Sequence, residues 1–83
     1  MTPEQLQSVL GLAKWMAALA QSGGPVRITI SLHHCSDETL ALAERAGGWR
    51  TPLRGPGHPA DVVSFTFSGV IVDFFGPHQE ARS

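Results

Sequence analysis

The side chains best able to do chemistry occur together at His33-His34-Cys35. Imidazole and thiolate groups are good zinc ligands, and His58 or His78 could complete a tetrahedral set. Adjacent residues at a strand end point in opposite directions, however, so His33 and His34 are poorly placed to share one ion. The sequence also lacks C-x-x-C and H-x₃-H spacings. We therefore predict no metal site and no cofactor.

Cys35 directly precedes a predicted helix N-terminus, where a thiolate would be stabilised. A nucleophilic pair with His33, His34 or His58 is conceivable, but the sequence indicates no third group to orient it. We predict no catalytic residue and interpret Cys35 as a small apolar side chain that fills a turn. A lone cysteine forms no internal disulfide, which favours a cytoplasmic protein.

The segment Trp49–Asp61 contains three prolines and two glycines, which predicts a long loop. Tryptophan and arginine are enriched at interface hot spots, so this loop is a candidate recognition site. A tryptophan of the first helix is a further candidate. The predicted partner-binding residues are Trp15, Trp49, Arg50, Arg54 and His58.

A different class of function stays open for the same basic residues. Arg27, Arg50, Arg54 and His58 could instead line a pocket at a dimer seam that binds a small molecule or a nucleotide, because guanidinium groups pair with carboxylates and phosphates. Binding of another macromolecule is the favoured interpretation. The alternative predicts a thermal shift with nucleotides.

The elements that must position these residues are organised around a hairpin over Val62–Phe75 with a turn at Ser68-Gly69. This turn predicts the pairs Phe67–Val70, Phe65–Val72 and Val63–Phe74 on one apolar face, and Thr66–Ile71, Ser64–Asp73 and Val62–Phe75 on the other. The second face is mixed in character.

Two helices and one more strand precede the hairpin. Thr2, Pro3 and Gln5 predict a capped helix that ends near Gln21 or Ser22, and Ser36 predicts a second helix over Asp37–Ala46. Pro25–Leu32 alternates as a strand. In the first helix a flanking apolar stripe accompanies the main one, so the helix is either wedged between two partners or exposes this stripe to another chain. The flanking stripe is Leu12, Trp15 and Leu19.

The order α-β-α-β-β predicts a two-layer α+β fold in one domain over residues 1–76, with a flexible tail at 77–83. A right-handed crossover would make the strands at 26–33 and 62–67 parallel. The apolar strand at 70–75 would then lie between them and antiparallel to both, which gives the order 1-3-2 in a three-stranded sheet. Both helices are expected on one face.

A single layer of helices leaves Val62, Ile71 and Phe75 uncovered on the other face. Burying a large apolar side chain contributes about 1.5–3 kcal/mol, so we predict that these residues form the contact of a homodimer. The two copies could pack face to face or pair at their edges into a continuous sheet.

The composition excludes several classes of function. A net charge of −1 over 83 residues argues against nucleic-acid binding. The start M-T-P-E-Q lacks a basic signal-peptide region, and Leu6–Ala20 is too short to span a membrane, so we expect no membrane association.

The phrase P-V-R-I-T-I-S-L-H-H-C-S-D-E-T-L-A, followed by a short hairpin, resembles small uncharacterised proteins of actinobacteria and their phages over Val26–Phe75. The resemblance implies an accessory role that involves contact with the host. We therefore expect a non-enzymatic cytoplasmic binding module, of the phage or mobile-element accessory type, whose partner is an unidentified host protein.

Overall fold

The computed structural model describes residues 1–23, 27–53 and 60–78. Its four strands form one mixed sheet in the order β1-β4-β3-β2, and both helices pack against β3 and β4. The α+β class and the central position of the last strand are confirmed. The elements in chain order are α1 (Pro3–Gly23), β1 (Ile28–Leu32), α2 (Asp37–Arg45), β2 (Trp49–Leu53), β3 (Ala60–Phe67) and β4 (Val70–Pro77).

Both helices begin at the predicted caps. The Thr2 backbone N–H donates to Gln5 Oε1 at 2.8 Å, and the Gln5 backbone N–H donates back to Thr2 Oγ1 at 3.1 Å. This reciprocal pair satisfies donors that have no partner within α1. At the start of α2, Ser36 Oγ accepts from the Thr39 backbone N–H at 3.2 Å. The first-turn acids Asp37 and Glu38 lie where the helix dipole favours negative charge.

The hairpin of β3 and β4 forms with the predicted turn and register. Ser68 and Gly69 both have positive φ, at 42° and 91°, which is the geometry that matches the twist of the flanking strands. All six predicted cross-strand pairs, from Val62–Phe75 to Phe67–Val70, are present. The register therefore sends one set of side chains toward the helices and the other set away from them.

The core lies between the helices and the sheet. Its fully buried large side chains come from every layer: Leu6 of α1, Leu40 of α2, Val63 of β3, and Val70, Val72 and Phe74 of β4. α1 contributes five buried residues, all from its main apolar stripe: Leu6, Leu10, Ala13, Ala17 and Ala20. The small alanines let α1 approach the sheet closely.

The predicted loop over 49–61 is wrong at both ends. Trp49–Leu53 forms β2, which pairs antiparallel with β3, and Ala60 and Asp61 belong to β3. Proline density suggested a loop, but β2 is an edge strand, where a proline removes no hydrogen bond from the sheet. Residues 54–59, including the predicted contacts Arg54 and His58, lie outside the described residues.

The three-stranded sheet and the predicted strand directions are also wrong, for one reason. β1 runs parallel to β4 and not to β3. The strand that follows α2 is β2, and it has the same direction as β1 because each step from β4 to β3 to β2 reverses the chain. Because the prediction lacked β2, it gave both strands of the hairpin the wrong direction relative to β1.

The last strand is longer than predicted. β4 includes Gly76, which was predicted to follow the end of the strand, and Pro77, which was predicted to begin the tail, and His78 contacts Asp61. Gly76 lies beneath α2, where an added Cβ would approach Leu40 Cδ1 to 2.7 Å and the Cys35 carbonyl oxygen to 2.8 Å. Only glycine fits this close approach. Residues 79–83 lie outside the described residues.

Candidate functional site

A polar cluster centred on buried Asp61 connects β2, β3, α2 and the end of β4. Asp61 is 2% exposed, and its Oδ2 accepts from Arg50 Nη1 at 2.7 Å. Arg50 Nε also donates to Glu44 Oε1 at 3.0 Å, and His78 Nδ1 lies 2.7 Å from Asp61 Oδ1. The cluster lies on the helix side of the sheet, because Arg50 is opposite Val63 in the register.

The charges in this cluster are matched to one another. Burial alone would lower the pKa of Arg50, but its hydrogen bonds to Asp61 and Glu44 outweigh that effect and raise the pKa above its ordinary value. The guanidinium group therefore stays charged and is held by two carboxylates. The contact between His78 Nδ1 and Asp61 Oδ1 adds the end of β4 to the same network. The charge-assisted hydrogen bonds between Arg50 and its carboxylate partners hold the edge strand β2 against β3 and α2.

The histidines at the end of β1 do not converge. The rings of His33 and His34 have centroids 6.5 Å apart and are tilted by 55°, and His34 has a φ of 60°. His33 instead stacks on Phe75 at 4.8 Å. Within the described part of the chain, no group of three metal-ligating side chains is present.

Cys35 is half-buried between β1 and α2. Its Sγ donates to the Leu32 carbonyl oxygen at 3.4 Å, and its backbone N–H donates to the Phe75 carbonyl oxygen at 2.9 Å. Burial raises the pKa of the Cys35 thiol, and this effect exceeds the opposing influence of the Phe75 backbone hydrogen bond and the N-terminal charge. The thiol is therefore protonated at neutral pH, which is unfavourable for nucleophilic chemistry.

This environment predicts that the Cys35 thiol reacts slowly with alkylating reagents. Alkylation of native Cys35 by iodoacetamide near pH 8 should be slower than alkylation of the same chain unfolded in urea, because the rate follows the thiolate fraction and access to the sulfur. The midpoint of the rate against pH should also lie higher in the native protein, since its pKa is raised. A faster native rate would contradict this prediction and would restore thiolate chemistry as a candidate.

The face of the sheet opposite the helices, which we call the open face, is one candidate binding surface. Trp49 is 77% exposed there and Leu53 is 41% exposed, while Ile71 and Phe75 are half-buried. By register, its strand residues are Thr29 and Ser31 of β1, Trp49, Thr51 and Leu53 of β2, Ala60, Val62, Ser64 and Thr66 of β3, and Ile71, Asp73, Phe75 and Pro77 of β4.

The strand residues of the open face carry little charge. Asp73 is the one charged side chain among these strand residues, and its Oδ1 accepts from Ser64 Oγ at 2.6 Å. None of them is lysine or arginine. The face therefore offers apolar and aromatic area, hydroxyl groups and one carboxylate.

The three residues predicted as dimer contacts all lie on the open face but differ in exposure. Ile71 and Phe75 keep accessible surface, whereas Val62 is only 7% exposed because it sits in the central strand β3 between Thr51 and Phe75. Val62 has little area left to bury against another chain.

The flanking stripe of α1 is a second exposed apolar surface. Leu12, Trp15 and Leu19 are 52%, 61% and 51% exposed, so this side of the helix has no partner among the described residues. Of the two interpretations of the stripe, exposure is the one observed. Beside it lies an apolar groove of about 350 Å³ between α1 and β1, lined by Trp15, Met16, Leu19, Ala20 and Ile28.

The predicted partner-binding residues that the structure describes do not lie together. Trp15 lies on α1, Trp49 on the open face, and Arg50 on the opposite side of the sheet from Trp49. Arg27 is exposed just before β1, and Arg54 and His58 lie outside the described residues. The sequence prediction missed Asp61 and His78 as members of the polar cluster.

Comparison of the chain with protein-family models, curated proteins and solved structures finds no match. Within the described residues, neither helix combines the length and the apolar character needed to cross a membrane. Function is therefore inferred from the residues of this chain.

Proposed function

We propose that this protein is a small, non-enzymatic binding module that contacts another protein through the open face. The observation that carries the proposal is a tryptophan, Trp49, that is 77% exposed on a helix-free sheet face, which also carries exposed Leu53 and half-buried Phe75. Exposed aromatic side chains in an apolar patch are the usual anchors of protein interfaces.

The chemistry of the open face favours a protein over a nucleic acid. Binding to a phosphate backbone requires several lysine or arginine side chains, and the strand residues of this face supply none. The complementary surface would be apolar at its centre, to cover Trp49 and Phe75. It would carry a hydrogen-bond donor or a basic side chain opposite Asp73.

The setting of this interaction is also part of the proposal. The resemblance to actinobacterial and phage proteins extends it to a host macromolecule as the partner, with the module acting as a phage or mobile-element accessory protein. The lone, protonated Cys35 suits a reducing compartment such as the cytoplasm. The small-molecule alternative gains no support from Arg50, because two carboxylates already hold its guanidinium group.

The test is a matched pair of tryptophan variants. The wild-type chain is used to capture partners from a lysate of its native host, and a captured protein is purified and titrated by calorimetry. We expect Trp49→Ala to weaken its binding by about thirtyfold or more, as loss of a 2 kcal/mol hot spot would. Trp15→Ala, on the other side of the molecule, should leave the affinity per chain unchanged.

Two outcomes would contradict the proposal. One is equal affinity of wild type and Trp49→Ala for every captured protein. The other is loss of binding in Trp15→Ala alone, which would move the partner site to α1. Because Trp49 is 77% exposed, its replacement should leave the far-UV circular dichroism unchanged, and this spectrum serves as the folding control.

A further inference from the structure

We propose that the flanking stripe of α1 and the outer edge of β1 form a self-association surface, on which a second copy of the chain pairs its own β1 antiparallel to the first. The two four-stranded sheets would join into one continuous sheet, with the two α1 helices side by side above the junction. This surface is separate from the open face, so the inference does not rest on the proposed function.

The two edges of the sheet differ in a way that points to β1. The edge strand β2 contains Pro52, which lacks a backbone donor, and Arg50. Prolines and charged residues are the usual means of blocking an edge against further pairing. The other edge strand, β1, reads I-T-I-S-L and has no charge, proline or glycine. The β2 edge is therefore protected against pairing with another strand, whereas the β1 edge is available for it.

The backbone of β1 is oriented for such pairing. The Ile28 N–H donates to the Gly69 carbonyl oxygen at 3.0 Å, so the backbone groups of Ile28 and of alternate residues after it face inward, toward the hairpin. Those of Thr29 and Ser31 then face outward. A two-fold axis at Ile30 would set Thr29 of each copy opposite Ser31 of the other, where each such pair exchanges two hydrogen bonds.

The apolar stripe lies directly beside this edge. Trp15 and Leu19 line the same groove as Ile28, which places the stripe and β1 in one continuous surface. At 61%, 52% and 51% exposure, Trp15, Leu12 and Leu19 together present roughly 300 Å² of side-chain surface. This is about half of the roughly 600 Å² per partner found at the lower end of specific interfaces, and the exposed flank of β1 adds to it.

Charge permits two identical surfaces to meet. Neither the stripe nor β1 contains a charged residue. Lys14, next to the stripe, has its Nζ 5.7 Å from the centroid of the Phe67 ring, and Arg27, directly before β1, falls opposite His33 of the other copy in this register. Like charges therefore do not oppose each other across the two-fold axis. A second copy can fill the groove, because Trp15 of each copy is an apolar side chain of suitable size to enter the groove of the other.

Sedimentation equilibrium over micromolar to submillimolar concentrations tests the inference. The wild-type mass should rise from 8.9 kDa toward twice that value. Trp15→Glu should raise the dissociation constant about a hundredfold or more, because the substituted residue occurs twice in a two-fold interface. Trp49→Glu, the matched change on the open face, should leave the dissociation constant unchanged.

Each other result overturns the inference. A wild-type mass of 8.9 kDa at all concentrations would show that the surface does not self-associate. Dissociation caused by Trp49→Glu and not by Trp15→Glu would assign the dimer to the open face, as the sequence predicted with Val62, Ile71 and Phe75. Since partner binding is assayed separately with Trp49→Ala, failure here and failure of the proposed function are distinguishable.

Amide hydrogen exchange gives a readout that needs no variant to fold. The Thr29 and Ser31 amides face outward in one copy and become hydrogen-bonded in the pair, so their exchange should slow as the protein concentration rises. The amides of β2 on the opposite edge should not respond. Exchange at Thr29 and Ser31 that is independent of concentration would overturn the inference.

Discussion

Replacing Phe74 by alanine should lower the free energy of unfolding by about 3–5 kcal/mol, the usual loss for a buried phenylalanine. Phe74 is 0% exposed and is the largest fully buried side chain, and it packs edge-on against Phe65 with ring centroids 6.0 Å apart. A domain of this length is stable by only about 4–12 kcal/mol, so most of the margin is removed. Urea unfolding followed by circular dichroism measures the loss.

Phe75→Ala is the matched control for this prediction. Phe75 is the next residue in β4, but it lies on the open face, half-buried, and its ring stacks on His33 at 4.8 Å. Loss of a partly exposed aromatic pair should cost roughly 1 kcal/mol. Equal losses for the two variants would mean that the open face is covered in solution, either by a partner chain or by a different packing of the helices.

Asp61→Ala should be the second large perturbation, with a loss of about 3 kcal/mol in the free energy of unfolding. The substitution leaves the Arg50 guanidinium, whose side chain is only 16% exposed, without its most buried partner. Breaking a buried ion pair on one side costs about 3–5 kcal/mol because the remaining charge is uncompensated. Glu44 stays bound to Arg50, so the lower end of that range is expected.

Two further variants distinguish the effect of breaking the ion pair from the effect of removing any carboxylate. Asp73→Ala removes the acceptor of a single hydrogen bond, from Ser64, and should cost only about 1 kcal/mol. Replacing both partners with apolar residues, Arg50→Met with Asp61→Leu, should recover part of the loss seen in Asp61→Ala, because no charge is left buried without a partner. A double variant that is less stable than Asp61→Ala would contradict this account.

The sequence predicted those features of the fold that depend on local rules. The period of two and the Ser68-Gly69 turn predicted the full register of the hairpin, and cap residues predicted both helix starts. The apolar character of β4 on both faces predicted its central position. These features follow from the residues within one segment, so no knowledge of the rest of the chain was required.

The missed strand, β2, depends on a property that cannot be predicted from neighbouring residues alone. Pro52 argues against a strand taken alone, yet the edge position of β2 removes the objection, and an edge position is a property of the whole sheet. Because the crossover rule was then applied to β3 in place of β2, the direction of β1 relative to the hairpin was predicted incorrectly. The relative order of the three predicted strands is unchanged in the four-stranded sheet, because the apolar character of β4 favours a central position whatever the strand directions.

The polar cluster was missed although the sequence contains a signal for it. Asp61 has the same parity as Val63 and Phe65, which places it on the helix side of β3 once the strand is extended by one residue. An acid on a buried face requires a partner, and Arg50 occupies the opposite strand. Without β2 in the prediction, that pairing could not be seen.

The proline in β2 also limits how far copies of this chain can assemble. A sheet that offers an open edge on both sides can recruit strand after strand and polymerise into a filament. Here Pro52 blocks addition beside β2, so only the side of β1 can accept another chain. The strand addition proposed above would therefore stop at a closed pair, and a rise in concentration would increase the number of pairs without lengthening them.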